Sequence, residues 1–184
     1  MDAKTDKILS VAYVLFNQHG FRKVTMSDIA EAAEMSRPTL YAAFPNKEAV
    51  FEGIATRHTA RSEEDLAERL PRAKTLLAQL QVLFDVWILE PFASVIDSPS
   101  GLDMLGNAGT YAPAALADIY ARFETHLTAI LRPEMTRKRG MAAKDLAHIM
   151  TLATKGLKAT TSTLAELKRL TDGLIAMAIA TTQA

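Results

Sequence analysis

Thr25-Met26-Ser27-Asp28-Ile29-Ala30-Glu31-Ala32-Ala33-Glu34-Met35-Ser36-Arg37-Pro38-Thr39-Leu40-Tyr41-Ala42-Ala43-Phe44-Pro45-Asn46-Lys47 carries the densest set of helix signals in the chain. Thr25 can cap a short helix, and Asp28 three residues on makes a variant of the capping box. Ile29, Ala30 and Ala33 supply that helix's buried side, and it is expected to end near Glu34-Met35. Ser36 caps a second helix, with Pro38 in its first turn, where a missing N–H costs nothing. Leu40 and Phe44 form its apolar side, Pro45 stops it, and Asn46 caps the next helix. Two short helices joined by a tight turn, with alanines that allow close approach, make the helix-turn-helix pattern.

Outward from this stretch the chain reads as helical throughout. There are only 8 Gly and 7 Pro, and Ala, Leu, Glu, Lys and Met are plentiful. Ile8, Val11, Ala12, Leu15 and Phe16 form one buried stripe on a first helix over residues 2–18, with Gly20 as its stop. A fourth helix runs from Asn46 towards Leu70, with Pro71 as the break. Residues 76–96 form one helix or a kinked pair with Pro91 at the bend; the sequence leaves both open. Residues 98–101 and 106–109 read as loops. Pro113 opens a helix to about residue 131, residues 132–140 interrupt, and two helices over 143–159 and 163–181 close the chain. The expected fold is all-α. An N-terminal three-helix helix-turn-helix domain over residues 1–48 joins a larger C-terminal helical domain over 49–184.

Charge and composition exclude several function classes. The 21 Lys+Arg balance 21 Asp+Glu, and residues 1–58 carry 7 of each. A grip on nucleic acid must therefore come from where charges sit, not from their number. The absence of Cys excludes disulfides and thiolate chemistry. The four His, at 19, 58, 126 and 148, form no i, i+4 pair, so neither a metal nor a cofactor is expected. No serine stands in a nucleophile elbow and no Gly-rich loop leads into Gly-Lys-Ser/Thr, which argues against an enzyme. The most apolar stretch, 80–96, is broken by Asp85, Glu90 and Pro91, so no span of about 18–20 residues is expected to cross a membrane. With a start that mixes both charges, the expectation is a soluble cytoplasmic protein.

The second short helix presents Arg37, Pro38, Thr39 and Tyr41 at its start. Such a helix can enter a DNA major groove with its first turn against the base edges. Arg37 can hold a guanine edge with two donors, a contact worth about 1–3 kcal/mol of discrimination. Pro38 can rest on a thymine methyl. The hydroxyls of Ser36, Thr39 and Tyr41 and the ammonium of Lys47 suit phosphate oxygens, and Arg22, Lys23 and Thr25 can meet the backbone on the other flank.

Gly20-Phe21-Arg22-Lys23-Val24-Thr25-Met26, then Ile29-Ala30, Ala33, Ser36, Pro38-Thr39-Leu40-Tyr41, Phe44 and Lys47-Glu48 resemble the N-terminal domain of the TetR family of bacterial transcriptional regulators. The resemblance spans about the first 55 residues without a gap. It implies a homodimer that binds a palindromic double-stranded DNA operator, usually as a repressor, and is released by a small-molecule effector in the C-terminal domain. Ala43 stands where the family commonly has an aromatic residue or His, and Met26 where Thr is frequent. Ala43, with the equally bare Ala42, implies fewer backbone contacts, and Met26 weakens a hydroxyl contact. The neutral charge of this segment implies modest affinity and a shallow salt dependence. Activation in place of repression stays open. So does an alternative of another class, a helical small-molecule-binding dimer with weak or vestigial DNA binding.

For the effector, Phe84, Trp87, Phe92, Met104, Tyr111, Tyr120, Phe123 and Met150 supply apolar and aromatic material with a few polar tips. The middle of the chain has no Lys/Arg cluster in sequence, so an apolar or aromatic ligand is expected. For the dimer, Leu146, Ile149, Ala153 and Leu157 form a stripe on the helix expected over 143–159. Leu167, Leu170, Leu174, Met177 and Ala178 cover more than one face of the final helix.

Overall fold

Helix starts in this chain are made by short polar side chains that accept from exposed backbone N–H groups. Asp2 Oδ1 accepts from Thr5 N at 2.8 Å, Asn46 Oδ1 from Ala49 N at 2.7 Å, and Thr75 Oγ1 from Ala78 N at 3.2 Å. At Thr25 the capping box is complete: Thr25 Oγ1 accepts from Asp28 N at 3.2 Å, and Asp28 Oδ2 accepts from Thr25 N at 2.8 Å. The computed structural model describes residues 2–98, 100–135 and 141–183. Its elements are α1 (Ala3–His19), α2 (Met26–Ala32), α3 (Arg37–Ala43), α4 (Lys47–Arg69), a 3-10 turn (Leu70–Arg72), α5 (Leu76–Phe84), a π segment (Asp85–Leu89), α6 (Glu90–Ile96), α7 (Gly101–Tyr111), α8 (Pro113–Leu131), α9 (Ala143–Thr160) and α10 (Leu164–Gln183). Among the described residues the fold is all-α, as the sequence predicts.

The chain forms two compact units, Met1–Ala60 with Val95–Ala117, and Arg61–Ser94 with Asp118–Ala184. The sequence places a single boundary after residue 48. The difference arises because α7, from the middle of the chain, adds Met104 and Tyr111 to the core of α1–α3. In this first unit Ile8, Ala12 and Phe16 of α1 meet Ile29 and Ala30 of α2 and Leu40 of α3. Arg57 of α4 pins α1 by donating to Asp6 O (3.1 Å), Asp6 Oδ1 (3.0 Å) and Ser10 Oγ (2.7 Å).

Glu34 decides the turn between α2 and α3. Its φ of 55° is left-handed. Glu34 N donates to Glu31 O and Met35 N to Ala30 O, both at 2.9 Å, the paired bonds of a Schellman C-cap. The more usual residue there is glycine, because a Cβ resists this conformation.

One expectation is corrected and one open choice is decided. Residues 106–109 are not a loop, because α7 runs through Gly106 and Gly109. Met104, Ala108 and Tyr111, spaced i, i+4, i+7, face the first unit's core, and that burial outweighs the low helix propensity of glycine. Residues 76–96 are helical without a break and are long and apolar enough, by length and composition, to cross a membrane. The π segment makes this continuity possible. Pro91 has no N–H and its ring conflicts with the carbonyl four residues back. Glu90 N reaches back five residues to Asp85 O, so the turn before Pro91 is already widened. Leu80, Leu83, Phe84 and Trp87 along this run are buried in the second unit. The loop expected over 98–101 includes Pro99, and the interruption over 132–140 includes residues 136–140, which lie outside the described residues.

In the second unit α10 packs on α5, on the π segment and on α9. Phe84 of α5 meets Phe123 of α8 edge-on, with ring centroids 5.2 Å apart.

Candidate nucleic-acid interface

The first turn of α3 is held from both sides. Ser36 Oγ accepts from Thr39 N at 3.3 Å and lies 2.8 Å from Thr39 Oγ1. Leu40 anchors the helix from below with no exposure at all. Arg37, Pro38 and Tyr41 are left projecting into solvent, and half of Tyr41 is exposed. Ala42 and Ala43, beside them, are also exposed. Arg22, Lys23 and Thr25 are exposed on the link into α2.

Two of the expected cations are already engaged. Arg37 Nη2 donates to Ser27 Oγ of α2, which orients the guanidinium along the gap between the two helices. Ser27 was not anticipated; the signal was its place two residues after the cap, on the outer side of α2. Lys47 Nζ donates to the carbonyls of Phe21 (2.6 Å), Val24 (2.8 Å) and Arg22 (3.4 Å) and lies 4.5 Å over the Phe21 ring. Burial pushes its ammonium below the usual lysine range, against the pull of Glu48 and Asp28. Lys47 thus fixes the link between α1 and α2 and satisfies carbonyls that no helix accounts for. At Thr25 the hydroxyl both donates to and accepts from the Asp28 residue. That bonding, backbone first, holds the Asp28 carboxyl below its usual range.

A family profile described as "Bacterial regulatory proteins, tetR family" matches residues 8–54, the segment that builds α1, α2 and α3. Residues 8–54 thus carry a helix-turn-helix segment of the TetR-family type. It is 34% identical over 109 residues to the HTH-type transcriptional repressor ComR of Escherichia coli, a match covering 59% of this chain and 51% of ComR. The chain spans little more than half the length of the curated relatives it matches. A TetR-family regulator from Rhodococcus sp. superposes with a TM-score of 0.74 at 18% identity, over 97% of this chain and all of that one. The fatty acid degradation regulator FadR of Bacillus halodurans does so with a TM-score of 0.73 at 16% identity, over 95% and 96%. At these identities the likeness is one of fold, and it spans nearly the whole chain.

The chain divides the expected effector residues between its two units. Met104 and Tyr111 belong to the first, where Tyr111 stacks on Phe21 and meets Phe51 edge-on. Phe84, Trp87, Phe92, Tyr120, Phe123 and Met150 belong to the second. Tyr120 carries a feature that linear spacing hides: Lys155 Nζ lies 4.5 Å and Lys158 Nζ 5.9 Å from its ring centroid. Burial pushes the Lys158 ammonium down to about 8.

The expected dimer residues divide as well. Leu146, Leu167, Leu174 and Ala178 are buried within the subunit, and Ala153, Leu157 and Leu170 are partly covered. Ile149 and Met177 are exposed, and so is Leu152, one turn from Ile149, which the sequence reading missed. A Cβ added at Gly156 or at Gly173 would meet open space.

Proposed function

We propose that this protein is a homodimeric transcriptional repressor that binds a palindromic operator through α3 and is released by a small apolar or aromatic ligand held in its second unit. The observation that carries this reading is the exposed first turn of α3, a rigid platform that presents Arg37, Pro38 and Tyr41 together. Arg37 reads a base edge once its bond to Ser27 opens. Arg22, Lys23, Thr25, Ser36 and Thr39 contribute backbone contacts. Lys47 supports them as a clamp on the α1–α2 link. The dimer forms through the outer faces of α9 and α10, around Ile149, Leu152 and Met177, with Gly156 and Gly173 admitting close approach. Two recognition helices then address half-sites roughly 34–36 Å apart, and the ligand acts by preferring a state that does not match this spacing.

The test is a fluorescence-anisotropy titration against DNA from immediately upstream of the protein's own gene, at two salt concentrations, beside a scrambled duplex. Tight binding to the upstream fragment that Arg37→Ala abolishes supports the repressor. Equal, salt-labile binding to both duplexes places the operator elsewhere, and selection from random DNA then finds it. A second reading, a ligand-binding helical dimer with weak DNA binding, is favoured by the engagement of Lys47 with backbone carbonyls and by the zero net charge. Absence of binding at any salt supports that reading.

A further inference from the structure

Trp87 is 3% exposed, and its indole N–H meets no acceptor among the described residues. A buried donor left without an acceptor is costly, so this N–H is a site in want of an oxygen. Its surroundings say which kind. Trp87 and His126 pack with ring centroids 5.6 Å apart, one helical turn beyond the edge-on pair Phe84 and Phe123. Two successive layers of rings therefore lie between the same pair of helical segments, and the donor is in the second layer. His126 Nε2 is 2.9 Å from Glu63 Oε2, so that imidazole nitrogen is already partnered. Arg122, one turn before His126 on α8, is held twice, by Asp118 Oδ2 at 2.7 Å and by Glu63 Oε1 at 3.5 Å. Glu63, the partner of His126, puts a carboxylate beside this pair of rings, which disfavours a second carboxylate from a ligand.

We infer that the effector of the second unit is an aromatic or apolar molecule with a neutral carbonyl oxygen, and that this oxygen accepts the Trp87 indole N–H. The inference rests on the reading that the second unit holds a small-molecule effector. The apolar body packs beside the Trp87–His126 ring pair, and the oxygen provides the orientation.

Trp87 is the chain's only tryptophan, so one indole N–H cross-peak reports on this donor alone. The experiment titrates the full-length protein, labelled with 15N at tryptophan and 13C at methionine methyls, with acetophenone, ethylbenzene and benzoate. The expected result is a saturable downfield shift of the indole proton with acetophenone only, and about tenfold tighter binding of acetophenone than of ethylbenzene. Trp87→Phe, which keeps a ring and removes the donor, brings the two affinities together. If acetophenone and ethylbenzene both move the Met150 methyl while the indole proton stays or shifts equally with each, the carbonyl assignment is overturned and the effector reading survives. Benzoate that shifts the indole proton as acetophenone does overturns the neutral class. If no probe moves either signal, both readings fall.

Discussion

Tyr111, the last residue of α7, stacks on Phe21 with ring centroids 3.9 Å apart and planes 22° apart. Phe21 opens the link between α1 and α2, and its carbonyl accepts from Lys47 at 2.6 Å. A residue ninety positions downstream thus holds the same ring whose backbone the clamp grips. The stacked ring contributes apolar contact, whereas the Tyr111 hydroxyl is buried without a partner among the described residues.

Those two contributions separate by mutation. Tyr111→Phe keeps the stack and removes the unsatisfied hydroxyl, so it is expected to raise stability by up to about 1 kcal/mol. Tyr111→Ala opens a cavity beside Phe21 and Phe51 and lowers it by about 3 kcal/mol. Urea unfolding of both variants checks the pair; a Phe variant that is much less stable than the parent would show that the hydroxyl has an acceptor.

Glu34 holds a left-handed φ of 55° at the C-cap of α2. Glu34→Gly relieves the Cβ conflict and should raise the melting midpoint by about 2–3 °C. Glu34→Ala removes the same exposed ion pair with Lys7 and keeps the Cβ, so it gains nothing. Thermal melts followed by circular dichroism distinguish the two.

Lys158 is partly covered on α9, and burial pushes its ammonium down to about 8 from an ordinary 10.5. Between these values the unfolded chain binds more protons than the folded one, so stability rises with pH across that window. The contribution is complete above about pH 10.5 and is lost as pH falls through about 8. Lys158→Met removes the buried charge. It should exceed the parent in stability at pH 7 and lose that lead as pH climbs towards 10.5. Melts at pH 7, 9 and 10.5 measure it, and a constant difference across the range refutes it.

Leu152 and Met177 are 51% and 63% exposed, while Leu167 has no exposure. Leu152→Glu and Met177→Glu together should convert a dimer to a folded monomer in sedimentation equilibrium, with helical content unchanged. Leu167→Ala, by contrast, should cost about 3 kcal/mol of stability and leave the association constant alone.

The helix-turn-helix was legible because its signals are local. Thr25, Asp28, Ser36, Pro38 and Asn46 act on backbone groups within three residues of themselves, so their spacing alone determined where α2, α3 and α4 begin and which side of α3 faces outward. The all-helical class followed in the same way from stripes with helical period. Tertiary structure alone decided the rest, because it depends on what is packed against a segment. Gly106 and Gly109 became helix because Met104 and Tyr111 had a core to enter, and Pro91 stayed in a helix because a π turn preceded it. Lys47 turned inward to carbonyls that only folding brings within reach of its ammonium. Tyr111 and Trp87 look alike as buried aromatic residues with a polar tip. Packing sent one to the ring of Phe21 and the other to the rings beside His126, and no periodicity in the chain encodes that choice.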